Sequence, residues 1–321
     1  MAGAYAVVIG VAAATVLGGW VYFRRHRMPR PPVGVVDLGD VAFVVVALVL
    51  LPFLYLALPA WLVGAFFALS VLSVLLVTLE PVVRRGEVRW LIGFVLIGAD
   101  IALALGPGST SRAYFAVNNL VLALVIVGVA NLWAQGGLHA RDLAVLTAAV
   151  IVYDVVATGW LPLTTDLIHR LAGLPFSPMV AWSVGEERWL GIGMGDLLLA
   201  TVAPPVLRKA YGRVAGLAAL AIALVTIEVM VAFAAFDLLR GVFPVMVVLG
   251  PLILAQYGFW LRRRDGERTT VAYLAAEPRA TGEPVGHVAP PGRAIAEALA
   301  GQIDCPPRAP VPPVEPFWNI R

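Results

Sequence analysis

Two aspartates carry the chemistry this sequence could do. Asp154 stands in VIVYDVVA and Asp196 in GIGMGDLLL, both inside long apolar runs. A carboxylate at the centre of a membrane helix costs about 2.5–3.5 kcal/mol on insertion scales, so such acids are kept where they are paired or functional. Two carboxylates at close range resist ionising together and share a proton. The charged member can take a proton from water while the protonated member hydrogen-bonds a scissile carbonyl, which is the general acid–base scheme of aspartyl hydrolysis. The two titrations would then belong to the pair.

The spacing favours a meeting of these acids. Asp154 lies eight residues before Pro162, where its run ends, and Asp196 lies seven residues after Trp189, where the next begins. At about 1.5 Å per residue, both carboxylates fall roughly 10–12 Å below the same surface. Gly191, Gly193 and Gly195 alternate ahead of Asp196. In a helix they would remove side chains where the run approaches its neighbour, and would leave room for water.

Other hydrolytic schemes lack parts. His26, His139, His169 and His287 fall in loops or the tail, and no H-E-x-x-H is present, so neither a metal nor a cofactor is expected. No serine stands in a G-x-S-G context within a run, and the GPGSTS stretch at 106–111 reads as a turn. Lys209 is the only lysine and lies at the far end of its run from Asp196, away from any serine partner at that depth. Asp100 and Glu228 are also intramembrane acids, read as structural hydrogen-bonding groups inside a bundle, with Asn118 and Asn119 as candidate partners for either.

The elements that must position the acids follow from composition. The chain has 321 residues, 60% hydrophobic and only 13% charged, against roughly 25% in a soluble domain. One core cannot bury so much apolar surface, so the lipid bilayer is the expected solvent. The fold class is therefore all-α, a polytopic membrane protein. Nine runs are long enough to span, at 4–23, 41–58, 60–79, 90–105, 114–133, 143–162, 189–207, 214–236 and 242–261. The second and third form a tight hairpin. The first lacks basic residues before it and has RRHRMPR after it, the flank of an N-out anchor rather than a cleaved signal.

Counting Lys and Arg on alternate sides gives orientation. One side collects fourteen, at Arg24, Arg25, Arg27, Arg30, Arg84, Arg85, Arg89, Arg141, Arg208, Lys209, Arg213, Arg262, Arg263 and Arg264. The other holds four: Arg112, Arg170, Arg188 and Arg240. The N-terminus is expected outside and the C-terminus in the cytoplasm. Alanine- and arginine-rich, lysine-poor usage points to a GC-rich prokaryotic genome, hence a multi-pass cell-membrane protein. The arginines are not interleaved with aromatic residues, so nucleic acid is not an expected partner. Cys305 is the only cysteine, so no internal disulfide forms. Three regions follow: an N-terminal bundle of the first five spans (1–140), spans six to nine carrying the acids (141–264), and a Pro-rich tail (265–321) expected to be mostly disordered. The loop at 163–188 contains PMVAWSV, 178–184, which leaves two readings open: a short strand, or a surface loop with Trp182 and Trp189 anchored at the membrane interface.

At these residues the sequence resembles the presenilin and signal-peptide-peptidase family of intramembrane aspartyl proteases. Its marks are Tyr-Asp in the sixth of nine spans, Gly-x-Gly-Asp in the seventh and Pro-Ala-Leu in the ninth. Tyr153-Asp154 and Gly193-Met194-Gly195-Asp196 match the first two. The third departs: Pro244-Val245-Met246 holds its place, with Pro251 seven residues after Pro244, a spacing similar to signal peptide peptidases. The resemblance implies a catalytic dyad of Asp154 and Asp196. Tyr153, Gly193, Met194, Gly195, Pro244, Val245, Met246 and Pro251 would support the site or bind substrate. It also implies transmembrane helical substrates, with a cytoplasmic N-terminus by analogy to signal peptide peptidase, and strand pairing of unwound substrate near the 163–188 loop. Spans six to nine carry the resemblance, and the first five match in number and hydropathy only.

Three alternatives stay open. A prepilin-type peptidase also uses G-M-G-D but usually carries a lysine two residues after the acid, where this chain has Leu198. A proton-coupled transporter could use the same acids as a relay. An inactive relative would bind membrane helices without cutting them. Substrate identity and oligomeric state are not legible.

Overall fold

The computed structural model describes residues 1–28, 38–161, 163–171, 174–185, 189–236, 238, 244–264 and 266–268. The tail expected at 265–321 lies outside them except for 266–268, as does the start of the run at 242–261. The chain is mostly helical: α1 (Ala2–Arg25), α2 (Leu38–Ala57), α3 (Ala60–Leu79), α4 (Gly86–Leu103), α5 (Arg112–Gln135), α6 (Ala140–Asp154), a short α7 (Leu163–Leu171), α8 (Met194–Tyr211), α9 (Arg213–Ala235) and α10 (Met246–Arg263). π-Helical turns extend α4 over Ala104–Gly108 and α6 over Val155–Trp160. Strands β1 (Met179–Ser183) and β2 (Trp189–Gly193) pair antiparallel, with Met179 opposite Gly193 and Ser183 opposite Trp189.

Among the described residues, seven helical segments are long and apolar enough to cross a membrane: α1, α2, α3, α4 with its extension, α5, α6 with its extension, and α9. The chain is thus a multi-pass membrane protein. α8 and α10 are just long enough but fall short on composition. Each has 18 residues and two basic residues in its last turn. The expectation of nine spanning helices therefore holds for seven on this criterion.

Trp189–Gly193 corrects the expected helical run at 189–207. It is a strand, and the helix starts only at Met194. A five-residue apolar stretch has no periodicity that separates buried strand from buried helix, and glycine at every second position weakens the helical choice. The loop at 163–188 also holds α7, which has no counterpart among the expected elements, and of the two readings open for 178–184 the strand is the one found, as β1, in place of a plain surface loop. The GPGSTS stretch begins inside the π-helical turn and becomes a turn afterwards.

The helices sort by burial. α8 is the axis of the bundle, packed by α9, α5 and α1. Its residues Leu197, Ala200, Val202 and Val206 are fully buried. α2, α3 and α4 turn large apolar side chains outward, among them Phe43, Leu50, Trp61, Leu69 and Phe94. In lipid such a surface carries no penalty, because the acyl chains it meets are as apolar as the side chains.

Buried polar residues of α4 and α5 hold the hairpin. Asp100 accepts the N–H of Phe176 at 2.9 Å. Phe176 has φ of 60°, a left-handed conformation uncommon outside glycine, and the buried carboxylate fixes it there. Tyr114 accepts from the Ser177 N–H and donates to the Leu174 carbonyl, both at 3.1 Å. Asn118 donates to the carbonyls of Ser177 and Met179. Asn119 takes both backbone groups of Ala181, each at 2.9 Å, as a neighbouring strand would. So Asn118 and Asn119 serve β1 rather than either acid suggested for them. Glu228 departs from the expected bond inside the bundle, because it is exposed on α9.

Asn119→Leu would strip Ala181 of both partners in a buried setting. An orphaned buried backbone group costs about 1–3 kcal/mol. The variant is expected to unfold at clearly lower denaturant in detergent. An unchanged midpoint would mean the hairpin is secured elsewhere.

Candidate active site

Three elements converge on the acids, and each does so for a local reason. α6 ends in the α-conformation at Tyr153-Asp154, where the backbone passes into the π-helical turn. Such turns re-aim side chains and recur at functional positions. Beyond it, the Thr158 and Thr164 hydroxyls lie 2.9 Å apart, tying the turn to α7. β2 runs into α8 through Gly193, the N-cap, so Asp196 sits in the first turn of α8. The chain then re-enters through Pro244 and Val245, and Met246 opens α10.

Asp196 is the meeting point. The backbone N–H of Met246 donates to its carboxylate. That N–H belongs to the set of donors at a helix start that have no partner within the helix. One carboxylate therefore faces the positive ends of two helix dipoles, α8 and α10, an arrangement that favours an anion. Asp154 lies within electrostatic reach of Asp196, and Tyr153 within reach of Asp154. Both aspartates are half-buried as residues.

The glycines ahead of Asp196 act differently from the expectation, which placed them between two helices. A Cβ on Gly191 would stand 2.8 Å from the Ala181 Cβ and 2.9 Å from the Val180 oxygen, so this glycine lets β2 lie against β1. A Cβ on Gly193 would stand 3.1 Å from Asp196 Oδ2, so the carboxylate folds back over its own N-cap. Gly195 is exposed, and a Cβ there would meet nothing within 4 Å. The Met194 side chain is half-buried against the main core, and its N–H donates to the Pro178 carbonyl at 2.9 Å, fixing the start of α8 to the foot of β1.

Of the residues expected at the ninth run, Val245 and Met246 are buried and Pro244 is half-buried. Pro251 lies more than a turn further along α10 and is exposed. Gly250 is the position the sequence reading missed. A Cβ there would collide with Ile151 Cγ1 and stand 2.6 Å from its Cδ1. Gly250 thus lets α10 press onto α6 three residues before Asp154 and four after Met246. Its only signal in the sequence is its place in an apolar run beside a proline. Among the described residues, no three His, Cys, Asp or Glu side chains converge as a metal site would require.

No family model and no curated protein sequence matches this chain. Among solved structures, it is similar to a presenilin family intramembrane aspartate protease crystallised in space group C222. The identity is 14% and the TM-score 0.48, over 81% of this chain and 96% of that one.

Proposed function

We propose that this protein is an intramembrane aspartyl protease that hydrolyses peptide bonds of transmembrane helical substrates with Asp154 and Asp196. The observation that carries this reading is that Asp154 and Asp196, two half-buried residues on separate helices, lie within electrostatic reach of each other. Such a pair holds one proton between its members at working pH, which is the state aspartyl hydrolysis needs. The ionised carboxylate draws a proton from a water molecule. The protonated one hydrogen-bonds the scissile carbonyl oxygen. Attack by that water gives a tetrahedral diol, and proton transfer to the amide nitrogen then releases the two peptides.

The surroundings fit such a cycle. Open space at Gly195 gives water and a peptide backbone a way to the acids. β1 occupies one edge of β2, and β2 leads directly into Gly193 and Asp196. A substrate segment unwound from its helix would extend along the other edge of β2 and bring one peptide bond to the acids. Main-chain pairing of this kind supplies affinity without demanding a particular sequence. Tyr153, Met194, Pro244, Val245 and Met246 would frame the site, with Pro251 shaping α10 beyond it.

In this reading β2 together with α8 crosses the bilayer, as does α10, which completes nine passes. The N-terminus faces outward, and fourteen basic residues mark the cytoplasmic side. Substrates would be helices with a cytoplasmic N-terminus. The test is purified protein in detergent with a labelled transmembrane peptide. Fragments cut within the apolar segment support the reading, and an intact peptide with pH-gradient-driven solute flux in vesicles supports the transporter instead.

A further inference from the structure

At the end of the bundle away from the acids, the chain does something the proposed chemistry leaves unused. After α10, Gly266 adopts φ of 128°, a conformation open to glycine, and the next two residues lie across the ends of other helices. The Glu267 carboxylate accepts the Ala140 N–H at 2.6 Å. Ala140 is the first residue of α6, whose own N-cap, His139, makes no side-chain capping bond. Arg268 does the reverse for α8. Its guanidinium donates to the Arg208 carbonyl at 3.0 Å and its backbone N–H donates to the Ala210 carbonyl at 3.1 Å. Both acceptors belong to the last turn of α8. An anion thus sits at a helix start and a cation at a helix end, each where the macrodipole favours it.

Lys209 extends the arrangement. It is buried, donates to the Ala134 carbonyl at 3.0 Å and to the Leu138 carbonyl at 2.7 Å, and lies within electrostatic reach of Glu267 and Asp142. His139 Nδ1 is 3.3 Å from Glu267 Oε1. The start of α6 and the end of α8 therefore meet on one dipeptide that follows α10, and Lys209 ties the end of α5 to the same place.

The consequence is geometric. α6 carries Asp154 at its opposite end and α8 carries Asp196 at its opposite end, while α10 delivers the Met246 N–H. An internally hydrogen-bonded helix resists stretching along its axis, so a fixed end sets the height of a side chain further along it, at about 1.5 Å per residue. A clamp at the far ends therefore sets the relative heights of the two acids. We infer that Glu267 and Arg268 form a strap that caps α6 and α8 from outside and holds Asp154 and Asp196 level. They are positioning residues, well removed from the reacting atoms. The inference rests on the proposed protease only for why the level of these two side chains matters.

The experiment reads position without needing proteolysis. In a Cys305→Ser background, Asp154→Cys and Asp196→Cys are introduced together, and a short bifunctional thiol reagent is added to the purified protein. Efficient cross-linking is expected with the strap intact. With Glu267→Ala and Arg268→Ala, the rate is expected to fall on the order of tenfold, the scale on which losing a helix cap moves an equilibrium. Glu267→Gln keeps an acceptor oxygen for the Ala140 N–H, so its rate should stay within about threefold of the intact strap. This conservative variant guards against a simple folding failure of the alanine pair. Equal rates in all three proteins, or no cross-link with the strap intact, would overturn the strap. Strap-dependent cross-linking, beside a parent protein that keeps both aspartates and still leaves every transmembrane peptide whole, would uphold the strap and remove the protease.

Discussion

Asp154→Asn is expected to abolish peptide cleavage, and Asp196→Asn to do the same, each as completely as the double change. Asparagine keeps the shape of aspartate and cannot exchange the proton the cycle needs. Neither remaining acid can perform both halves of the work. With one carboxyl left, either the water loses its base or the carbonyl loses its donor. The loss should be on the order of 10⁴-fold or more in kcat, with little change in substrate binding. Residues that act as one unit give strongly non-additive losses, so the double variant adds almost nothing. In the Asp196→Asn protein the Met246 N–H can still donate to the side-chain amide oxygen, so expression and thermal stability should remain near those of the parent. Initial rates on a labelled peptide, with the melting profile of each variant, check this. Residual turnover in either single variant would take that residue out of the mechanism.

Gly250→Ala is expected to lower kcat about 10²-fold without contact with any reacting atom. The added methyl would overlap Ile151, and β-branched side chains in helices have one favoured χ1, so Ile151 cannot swing clear. Overpacking of this kind costs roughly 1–3 kcal/mol and is relieved by moving backbone. The backbone that moves is α10, which carries the Met246 N–H away from Asp196. Ile151→Ala removes the obstructing atoms, so it should restore most of the activity when combined with Gly250→Ala. Loss of kcat without this rescue would point to a general folding defect, and full activity in Gly250→Ala would show that the close approach of α10 to α6 is not needed.

How much of this was legible in the sequence depended on the range of the interaction. Long apolar runs announce helices, because the bilayer demands internal backbone bonding over about 20 residues. Each of the nine runs contains a helix, with ends shifted by a few residues. The strand Trp189–Gly193 was hidden because an apolar run gives no period and because its partner strand is set by a separate stretch. Likewise Asn119 looked like a partner for an acid, whereas its place beside Ala181 depends on how α5 packs against the hairpin. Gly191 was rightly seen as a site of close approach, but against a strand rather than a helix. Gly250 and the dipeptide Glu267-Arg268 gave almost no local sign, since a glycine among valines and a charged pair after a helix have many uses. Caps supplied from 60 residues away, as Arg268 does for Arg208, or from 127, as Glu267 does for Ala140, appear only in three dimensions. The acids themselves were conspicuous because charge inside an apolar run is costly wherever the chain folds.

The central claim is that Asp154 and Asp196 together cut a peptide bond within the membrane. Mass spectrometry of a single-span peptide after incubation with the purified protein tests it most directly, with the Asp196→Asn protein alongside. Two complementary fragments are expected, their new ends inside the apolar segment, their yield peaked between an acid and an alkaline limit, and neither present with the variant. An intact peptide across that whole pH range, from protein that remains folded, would contradict the account.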